Sequence, residues 1–313
     1  MKAIITHQAG GIENLQLRDI SKPKIKDNEV LVETRAISIN PADTKVKYAE
    51  EALLDLYGEE RPVILGWDIA GTVVETGENV TNFNVGDNVF GMVNFPGNGK
   101  AYAEYVAASE SHLALMPKGV DFVDAAATTL AAMTAYQALN GRVSQGDKVL
   151  IHAGSGGVGH FAIQMAKQMG AYVYSTSSSK NKEFVMSLGA DAHIDYREQD
   201  FEKVLYDIDL AFDTVSPENA EKSLQVLRSG GQLVSITIRE PSDSMQKIAF
   251  ESDLTITPLL VHSDGEDAAK IAEMLASGSI KPHVSQTFEF KDLAMAHTAI
   301  EMGRTVGKVV VMI

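Results

Sequence analysis

The sequence contains no cysteine among its 313 residues. This absence excludes disulfide bonds, thiolate catalysis and any zinc site that depends on cysteine ligands. Basic residues are also scarce: 27 lysines and arginines stand against 42 aspartates and glutamates, so the formal net charge is -15. A protein that binds the phosphate backbone of nucleic acids needs a basic surface, so this composition predicts no nucleic-acid partner.

Long hydrophobic runs are missing as well. No stretch approaches the roughly 18 apolar residues that a membrane-spanning helix requires. The first residues, Met1–Ile5, run into polar positions and do not build the apolar segment of a secretory signal. We therefore expect a soluble, cytoplasmic protein with no membrane partner. A hydrophobic content of 45% is ordinary for a globular protein, and the length predicts about two domains.

Glycine and proline interrupt the first third of the chain at short intervals. Residues 1–118 alternate short apolar runs with these turn signals, which predicts strands of a partly closed β-barrel. From residue 119 onward, strand and helix signals alternate in the order expected of a parallel sheet covered by helices. We predict an α/β protein with a barrel domain of residues 1–118, completed by residues 265–313, and a doubly wound domain of residues 119–264.

Individual elements follow from the same signals. Asp124 is placed to cap a helix over residues 125–141, and glycines end several later helices. Strands are predicted at 30–34, 63–65, 69–74, 148–153, 172–176, 210–214, 232–238, 288–290 and 308–313. The remaining helices are predicted at 160–169, 182–188, 220–227, 264–277 and 293–302.

The strongest local motif is the glycine-rich segment Ala153–Gly159, which follows a predicted strand and opens a predicted helix. Where side chains are absent, the backbone can approach a pyrophosphate, and the helix N-terminus offers free N–H donors. The glycines lie close to, but not on, the GxGxxG spacing, so spacing alone fits a tight strand-to-helix turn equally well. The β-α units that follow favour a dinucleotide site, whose cofactor-binding residues are Gly154, Ser155, Gly156, Gly157, Val158 and Gly159.

The end of the second strand of this domain indicates which dinucleotide binds. NAD sites usually place Asp or Glu there to accept hydrogen bonds from the ribose. The segment Ser177–Lys182 instead has three serines and two lysines, with no carboxylate before Glu183. Hydroxyl and ammonium groups bind a 2′-phosphate, which a carboxylate would repel. We predict that the cofactor is NADPH and that Ser177, Ser178 and Lys182 bind its 2′-phosphate, with Lys180 as a further candidate. The alternative is that this segment is a solvated surface turn.

Further segments carry a resemblance to a known family. They are Asn40–Asp43, Gly66–Gly71, Val85–Gly91, Thr134–Leu139, Leu188–Asp191 and Gly303–Val310. Together with the glycine loop, they make nearly the whole chain resemble the zinc-independent medium-chain dehydrogenases/reductases of the quinone oxidoreductase (zeta-crystallin-like) group. The resemblance implies a GroES-like β-barrel domain plus a Rossmann domain with the active site in the cleft between them. It also implies a homodimer, formed in many members by joining the Rossmann sheets.

The same segments depart from the zinc-dependent alcohol dehydrogenases. That branch holds its catalytic zinc with cysteines and a His-Glu pair, and here the pair is Trp67-Asp68. No two of the eight histidines are four residues apart, and we predict no metal site. Without a Lewis acid an alcohol is hard to oxidise, whereas a quinone or enone accepts hydride at an electron-poor carbon. The predicted reaction is hydride transfer from NADPH to a small-molecule quinone or an α,β-unsaturated carbonyl compound.

Three side chains are candidates for the reacting centre. By resemblance, Asn40 lines the nicotinamide–substrate cleft and hydrogen-bonds the substrate oxygen or the cofactor ribose. Many family members have a tyrosine five residues later, where this chain has Lys45. Lys45 is thus a candidate to steady an oxyanion, and Tyr48 is an alternative donor; a solvated lysine and a surface tyrosine fit the sequence equally well. Asp43 is expected to be structural, capping the next turn.

Four more residues complete the predicted cofactor site. By resemblance, Thr134 lies near the nicotinamide carboxamide and Tyr196 near the adenosine phosphate. Ser235 ends a predicted strand, and open parallel sheets bind ligands at such carboxyl ends, so its backbone is expected near the nicotinamide ribose. Lys308 either reaches a cofactor phosphate or is a surface charge at a strand end.

Two other functions remain open. An enoyl-thioester reductase shares the fold, but it needs a basic entrance for the phosphates of coenzyme A or an acyl carrier, and the sequence has no dense basic cluster. The chain can also be an NADPH-binding sensor or structural protein with little turnover, because a Rossmann fold guarantees a ligand rather than a reaction.

Overall fold

The structure is a computed structural model that describes all 313 residues. The chain divides into two compact units: residues 1–133 with 261–313 form the first, and residues 134–260 form the second. These limits differ from the predicted domain limits (1–118 with 265–313, and 119–264), because residues 122–133 of a long helix belong to the first unit.

Sixteen strands form three sheets. They are β1 (Lys2–Thr6), β2 (Gln16–Asp19), β3 (Glu29–Ile39), β4 (Val63–Ile64), β5 (Asp68–Thr76), β6 (Asn88–Met92), β7 (Tyr105–Ser109), β8 (Leu113–Leu115), β9 (Lys148–Ile151), β10 (Tyr172–Ser177), β11 (Ala192–Asp195), β12 (Ile208–Asp213), β13 (Leu227–Ser235), β14 (Thr255–Pro258), β15 (Val284–Glu289) and β16 (Lys308–Met312).

Ten α-helices accompany the strands. They are α1 (Pro41–Tyr48), α2 (Glu50–Tyr57), α3 (Phe122–Leu139), α4 (Gly159–Gln168), α5 (Lys182–Ser187), α6 (Phe201–Val204), α7 (Pro217–Ser223), α8 (Asp243–Ser252), α9 (Gly265–Ser277) and α10 (Leu293–Glu301). None of them combines the length and the apolar character that crossing a membrane requires.

Strand β3 organises the first unit. The larger sheet has the order β15-β16-β3-β5-β6-β8, and β7 also pairs with β3. Because β5 lies along one side of β3, the other side is shared: β7 pairs with Glu29–Glu33 and β16 with Ala36–Ile39. The register with β5 shifts near Leu31 and Thr34, and such bulges bend a strand and increase its twist. The bent sheet and the small sheet β2-β1-β4 surround one apolar core, as expected of a GroES-like barrel.

The second unit is built on a six-stranded parallel sheet with the order β11-β10-β9-β12-β13-β14. Its first strand, β9, lies in the middle, and Val149–Ile151 is fully buried, as is typical of a central parallel strand. The chain adds strands from β9 to one edge and then from β12 to the other edge. The strand order therefore reverses beside β9, and ligands of such Rossmann-type sheets bind at the carboxyl edge at this point.

Some element boundaries differ from the prediction. Helix α3 begins at Phe122 rather than residue 125, and Asp121, not Asp124, supports its first turn, because Asp121 Oδ1 accepts the Asp124 N–H at 2.8 Å. The helix predicted at 220–227 is α7, which begins earlier because the Ser216 side chain caps it ahead of a proline. The sequence analysis placed no individual element at helices α1, α2, α6 and α8 or at strands β1, β2, β6, β7, β8, β11 and β14. Helix α8 has apolar residues at Met245, Ile248 and Ala249, but only Met245 is buried.

Candidate functional site

The glycine-rich loop joins the carboxyl end of β9 to the start of α4 in the second unit. A Cβ on Gly154 would lie 1.9 Å from Ser175 Oγ, and a Cβ on Gly159 would lie 2.3 Å from a carbonyl oxygen of the loop itself. Only glycine permits packing this close at either position. The N–H groups of Gly157, Val158 and Gly159 donate to no backbone carbonyl. Free N–H groups at a helix N-terminus bind phosphate, so these residues fit a pyrophosphate.

The predicted 2′-phosphate residues lie at the carboxyl end of β10, next to this loop. Asn181 Nδ2 donates to Ser155 Oγ at 2.9 Å and links the two segments. Ser177 and Ser178 are buried, only 2% and 4% exposed, whereas Lys182 is exposed at the start of α5. The structure therefore brings the three residues to one end of a strand, with the lysine in solvent and both serines inside.

Two residues of β11 that the sequence analysis missed lie at the same edge. Asp195 accepts the N–H of Arg197 at 2.9 Å and that of Ser179 at 2.7 Å, and these bonds hold the pKa of Asp195 below its usual value. His193 Nε2 lies 2.8 Å from Ser177 Oγ. A carboxylate is thus close to the end of β10 after all. It is distant in sequence and becomes a neighbour only because β10 and β11 pair in parallel.

The other predicted cofactor residues of the second unit are more scattered. Ser235 is buried at the end of β13, where its Oγ donates to Asp213 Oδ2 of the neighbouring β12 at 2.9 Å. Tyr196 follows β11 and is 57% exposed, and Thr134 is buried within α3. Ser235 and Tyr196 both lie at the carboxyl edge of the parallel sheet, whereas Thr134 lies within a helix.

A buried polar cluster of Asn40, Asp68 and Lys308 lies at one end of the large sheet of the first unit. Strand β3 ends where its antiparallel neighbours β5 and β16 begin, so the three side chains meet. Asn40 Nδ2 donates to Asp68 Oδ2 at 2.8 Å, and Lys308 Nζ donates to Asn40 Oδ1. An amide between a carboxylate and an ammonium group has one favourable orientation, nitrogen to the carboxylate and oxygen to the ammonium. The Asn40 carboxamide is therefore held in a known direction.

Lys308 is not the surface charge that was one interpretation of the sequence. Its side chain is buried, and its Nζ lies 3.9 Å from Asp68 Oδ2. Burial lowers the pKa of Lys308 and raises that of Asp68, and the attraction between the two charges opposes both shifts. Since a cofactor phosphate would have to compete with Asp68 and Asn40 for the ammonium group, this geometry does not favour the predicted phosphate contact.

Asp43 is fully buried beside this cluster. Its Oδ2 accepts the Asn40 N–H at 2.7 Å, so it caps the helix that contains it rather than the next turn. Burial, reinforced by the charge of Asp68, raises the pKa of Asp43 to about 7. The carboxyl group therefore changes its protonation state near neutral pH.

The predicted catalytic residues of α1 lie on its exposed side. Lys45 is exposed, and Tyr48 is 55% exposed with its hydroxyl donating to Glu301 Oε2 at 3.3 Å. The buried lysine of this helix is Lys47, whose Nζ lies 2.6 Å from Glu301 Oε1 in α10. Neither Lys45 nor Tyr48 forms a hydrogen bond to Asn40, so the structure does not bring the three candidates together.

One group of potential metal ligands lies at the start of α9. His262, Asp264 and Asp267 bring ligand atoms within 4.8 Å of one another. Asp264 Oδ1 already accepts the N–H groups of Glu266 and Asp267, which is the geometry of a helix cap. These contacts give Asp264 a structural role.

The sequence around Lys308 and Asp68 indicates that both charges need partners. Lys308 opens an otherwise apolar strand, and Asp68 begins another strand directly after buried Trp67. A lone charge at the end of a buried strand needs a partner, and these two residues have opposite signs. Pairing them also required the strand order, which the sequence does not supply.

Comparison with known proteins places these features in a family. A model described as the alcohol dehydrogenase GroES-like domain matches residues 26–118, and one described as zinc-binding dehydrogenase matches residues 188–311. The 2-methylene-furan-3-one reductase of Solanum lycopersicum is 34% identical over 99% of this chain and 79% of its own length. The chloroplastic NADPH-dependent alkenal/one oxidoreductase of Arabidopsis thaliana is 33% identical over the same shares. The quinone oxidoreductase of Homo sapiens is 29% identical over 100% of this chain and 98% of its own.

Solved structures of quinone oxidoreductases show the same fold. The quinone oxidoreductase from Coxiella burnetii superposes with a TM-score of 0.93 at 34% identity, covering 100% of this chain and 99% of its own. Escherichia coli quinone oxidoreductase complexed with NADPH superposes with a TM-score of 0.88 at 27% identity over all of both chains.

A GroES-like sheet and a Rossmann-type sheet with a glycine loop, joined in one chain, define a medium-chain dehydrogenase/reductase. Within that superfamily, this chain belongs to the quinone oxidoreductase group, as its relatives and structural neighbours show.

Removing the Lys308 ammonium should destabilise the first unit. We expect Lys308→Met to lower the free energy of unfolding by roughly 3–5 kcal/mol, because it leaves the buried Asp68 charge without its cation. The double variant K308M/D68N should recover much of this loss. Denaturant unfolding measures both, with Lys45→Met as the exposed control; equal effects of K308M and K45M would contradict the buried cluster.

Asp43 should make stability depend on pH. The unfolded carboxyl loses its proton near the ordinary value of 3.8, whereas the folded one keeps it to about pH 7. Between about pH 4 and pH 7 the unfolded state therefore binds fewer protons than the folded state, so stability falls as pH rises. A group of this kind raises the unfolding equilibrium constant by up to about tenfold per pH unit. We expect Asp43→Asn to reduce this slope when unfolding is measured across the same range; the raised pKa of buried Asp68 leaves a remainder of the same sign. An unchanged slope would show that Asp43 does not titrate there.

Proposed function

We propose that this chain is a zinc-independent oxidoreductase that transfers hydride from NADPH to a quinone or to the double bond of an α,β-unsaturated carbonyl compound. The observation that carries the proposal is the row of free N–H groups at Gly157, Val158 and Gly159, at the point where the order of the parallel sheet reverses. The printed names of the relatives, which include quinone oxidoreductase and NADPH-dependent alkenal/one oxidoreductase, support the same reaction class.

The second unit would hold the cofactor. NADPH, when bound, supplies the hydride. The loop Gly154–Gly159 would bind the pyrophosphate, and Lys182 would bind the 2′-phosphate together with Ser177 and Ser178. Ser235, at the carboxyl edge of the sheet, would offer its backbone to the nicotinamide ribose. Thr134 and Tyr196 stay predicted contacts of the nicotinamide carboxamide and the adenosine phosphate.

The residue set favours an acceptor that needs no metal. The positions that carry the zinc-binding His-Glu pair in alcohol dehydrogenases hold Trp67-Asp68, and the chain has no cysteine. Trp67 is buried with its Nε1 donating to the Gly97 carbonyl at 2.6 Å, and Asp68 is bonded to Asn40, so both are structural. Quinones and enones take up hydride at carbon without a Lewis acid, which fits this site.

Asn40 is our candidate for steadying the acceptor oxygen. An amide has two N–H groups and two acceptor lone pairs, and the bonds to Asp68 and Lys308 use one of each. The second N–H is held in a defined direction, and a fixed donor stabilises an oxygen that gains negative charge as hydride arrives at carbon. Lys45 and Tyr48, whose side chains are exposed, stay alternative candidates for this role.

Purified protein should oxidise NADPH in the presence of simple quinones or enones, with a chelator present, and oxidise NADH far more slowly. Lys182→Ala should raise the KM for NADPH roughly tenfold or more, because it removes a charge-assisted contact to phosphate, and should leave the KM for NADH unchanged. Lys247→Ala, an exposed lysine elsewhere in the second unit, is the matched control.

Each other outcome contradicts a part of the proposal. Loss of turnover with chelator would contradict the metal-free reaction, and equal use of NADH would contradict the phosphate site. A strong preference for acyl thioesters would favour an enoyl-thioester reductase. Tight NADPH binding with no turnover on any acceptor would favour a sensor.

We further propose a cytoplasmic homodimer in which two copies pair along strand β14. This strand is an edge of the parallel sheet, and edge strands with open N–H groups recruit further strands. Leu259 N donates to Ser235 O of β13, so by alternation Ile256 N points outward. Phe250 and Leu260, 90% and 66% exposed, supply apolar surface nearby in the chain.

The proposed cytoplasmic location rests on the composition: a chain without cysteine fits a reducing compartment.

Blocking this edge should separate the dimer. Ile256→Pro removes the outward N–H and leaves the bonds to β13 intact, so we expect a folded monomer in analytical ultracentrifugation. Ile256→Val, which keeps the N–H, should remain dimeric. A wild-type monomer, or a dimer that survives I256P, would contradict the proposed contact.

A further inference from the structure

The hydroxyl of Ser177 has a partner behind it in the neighbouring strand. His193 Nε2 of β11 lies 2.8 Å from Ser177 Oγ, and the same oxygen lies 3.2 Å from the Ser178 carbonyl oxygen. Ser175 is paired with His193 and Ser177 with Asp195, so the imidazole reaches Ser177 diagonally from the adjacent strand. The contact is built into the sheet and does not depend on a surface loop.

The hydrogen-bond capacities of these groups decide which atom donates. A serine hydroxyl has one proton to give and can accept two, whereas the Ser178 carbonyl can only accept. When the Ser177 proton points to that carbonyl, the bond from His193 must run from Nε2–H to Ser177 Oγ. Burial lowers the pKa of His193; Asp195 opposes this and Lys182 adds to it. The imidazole is thus neutral in neutral solution, and in this arrangement its single proton is on Nε2.

We propose that His193 is a positioning residue for NADPH selectivity. By donating from Nε2 to Ser177 Oγ, it holds this oxygen in place as an acceptor and leaves the Ser177 O–H free to turn from the Ser178 carbonyl to the 2′-phosphate. The contact that the hydroxyl gives up is the longer of its two, at 3.2 Å. The inference rests on the proposed 2′-phosphate site at Ser177 and Lys182.

The position of Asp195 makes the direction of the Ser177 hydroxyl important for binding a phosphate. Its carboxylate lies at the same edge of the sheet and would repel a phosphate, but both of its oxygens already accept backbone N–H groups, from Arg197 and Ser179. The exposed cations that follow β10 are Lys180 and Lys182, and a phosphate bound there also depends on oriented neutral donors.

Equilibrium binding of NADPH and of NADH, followed by cofactor fluorescence, tests the proposal. We expect His193→Phe to raise the Kd for NADPH about tenfold, because the Ser177 hydroxyl then loses its oriented hydrogen bond to the charged phosphate, and to leave the Kd for NADH within roughly twofold. His193→Gln, whose side-chain amide can donate from a similar position, should stay near wild type for NADPH. The double variant S177A/H193F should bind NADPH no more weakly than S177A, because His193 acts through Ser177.

Other outcomes overturn the proposal in distinguishable ways. Equal loss of NADPH and NADH binding in H193F would mean a merely structural histidine. Additive losses in the double variant would mean that His193 does not act through Ser177. If K182A weakens NADPH selectively and H193F does not, this inference alone fails; if neither does, the 2′-phosphate site itself is wrong. Should H193F not fold, His193→Asn, whose shorter amide does not reach Ser177, takes its place under the same criteria.

Discussion

The first unit depends on two opposite charges, Asp68 and Lys308, buried at one end of its large sheet with the Asn40 amide between them. Taking an ion out of water costs several kcal/mol, and only close partners offset that cost. Each of the three residues lies at the end of a different one of three adjacent strands. The strand ends cannot move apart without exposing an unpaired charge to the apolar core. The same contacts orient the amide that we propose as a donor to the substrate.

In the second unit, the glycine loop offers backbone N–H groups to an anionic ligand. The loop after β9 presents N–H groups that no carbonyl uses, and glycine at positions 154 and 159 allows it to pack closely enough to do so. A binding site made of peptide dipoles needs no surplus of lysine or arginine. A chain with a formal net charge of -15 can therefore still bind an anionic dinucleotide.

Polar side chains along the carboxyl edge of the parallel sheet are paired before any ligand arrives. Ser177 contacts His193, Ser235 contacts Asp213, and Asp195 accepts two backbone N–H groups. Groups that already have defined partners lose little freedom when a ligand binds, so recognition depends on direction more than on number of contacts.

The sequence by itself determined the two-part α/β architecture, the glycine loop, the cofactor class and the absence of zinc-binding cysteines. These features depend on local patterns: periodicity, turn residues, and the residue types that follow a strand. Only the tertiary structure decided which polar residues meet. His193 reaches Ser177 and Asp195 reaches the Ser179 N–H because two strands pair in parallel, and Lys308 meets Asp68 because β16, β3 and β5 are neighbours. Lys45 and Tyr48 were predicted as catalytic residues from the sequence, which does not show where a side chain points, and both side chains are exposed. A charge in a linear sequence looks the same whether it ends in solvent or in a core, and burial is a property of the packed chain.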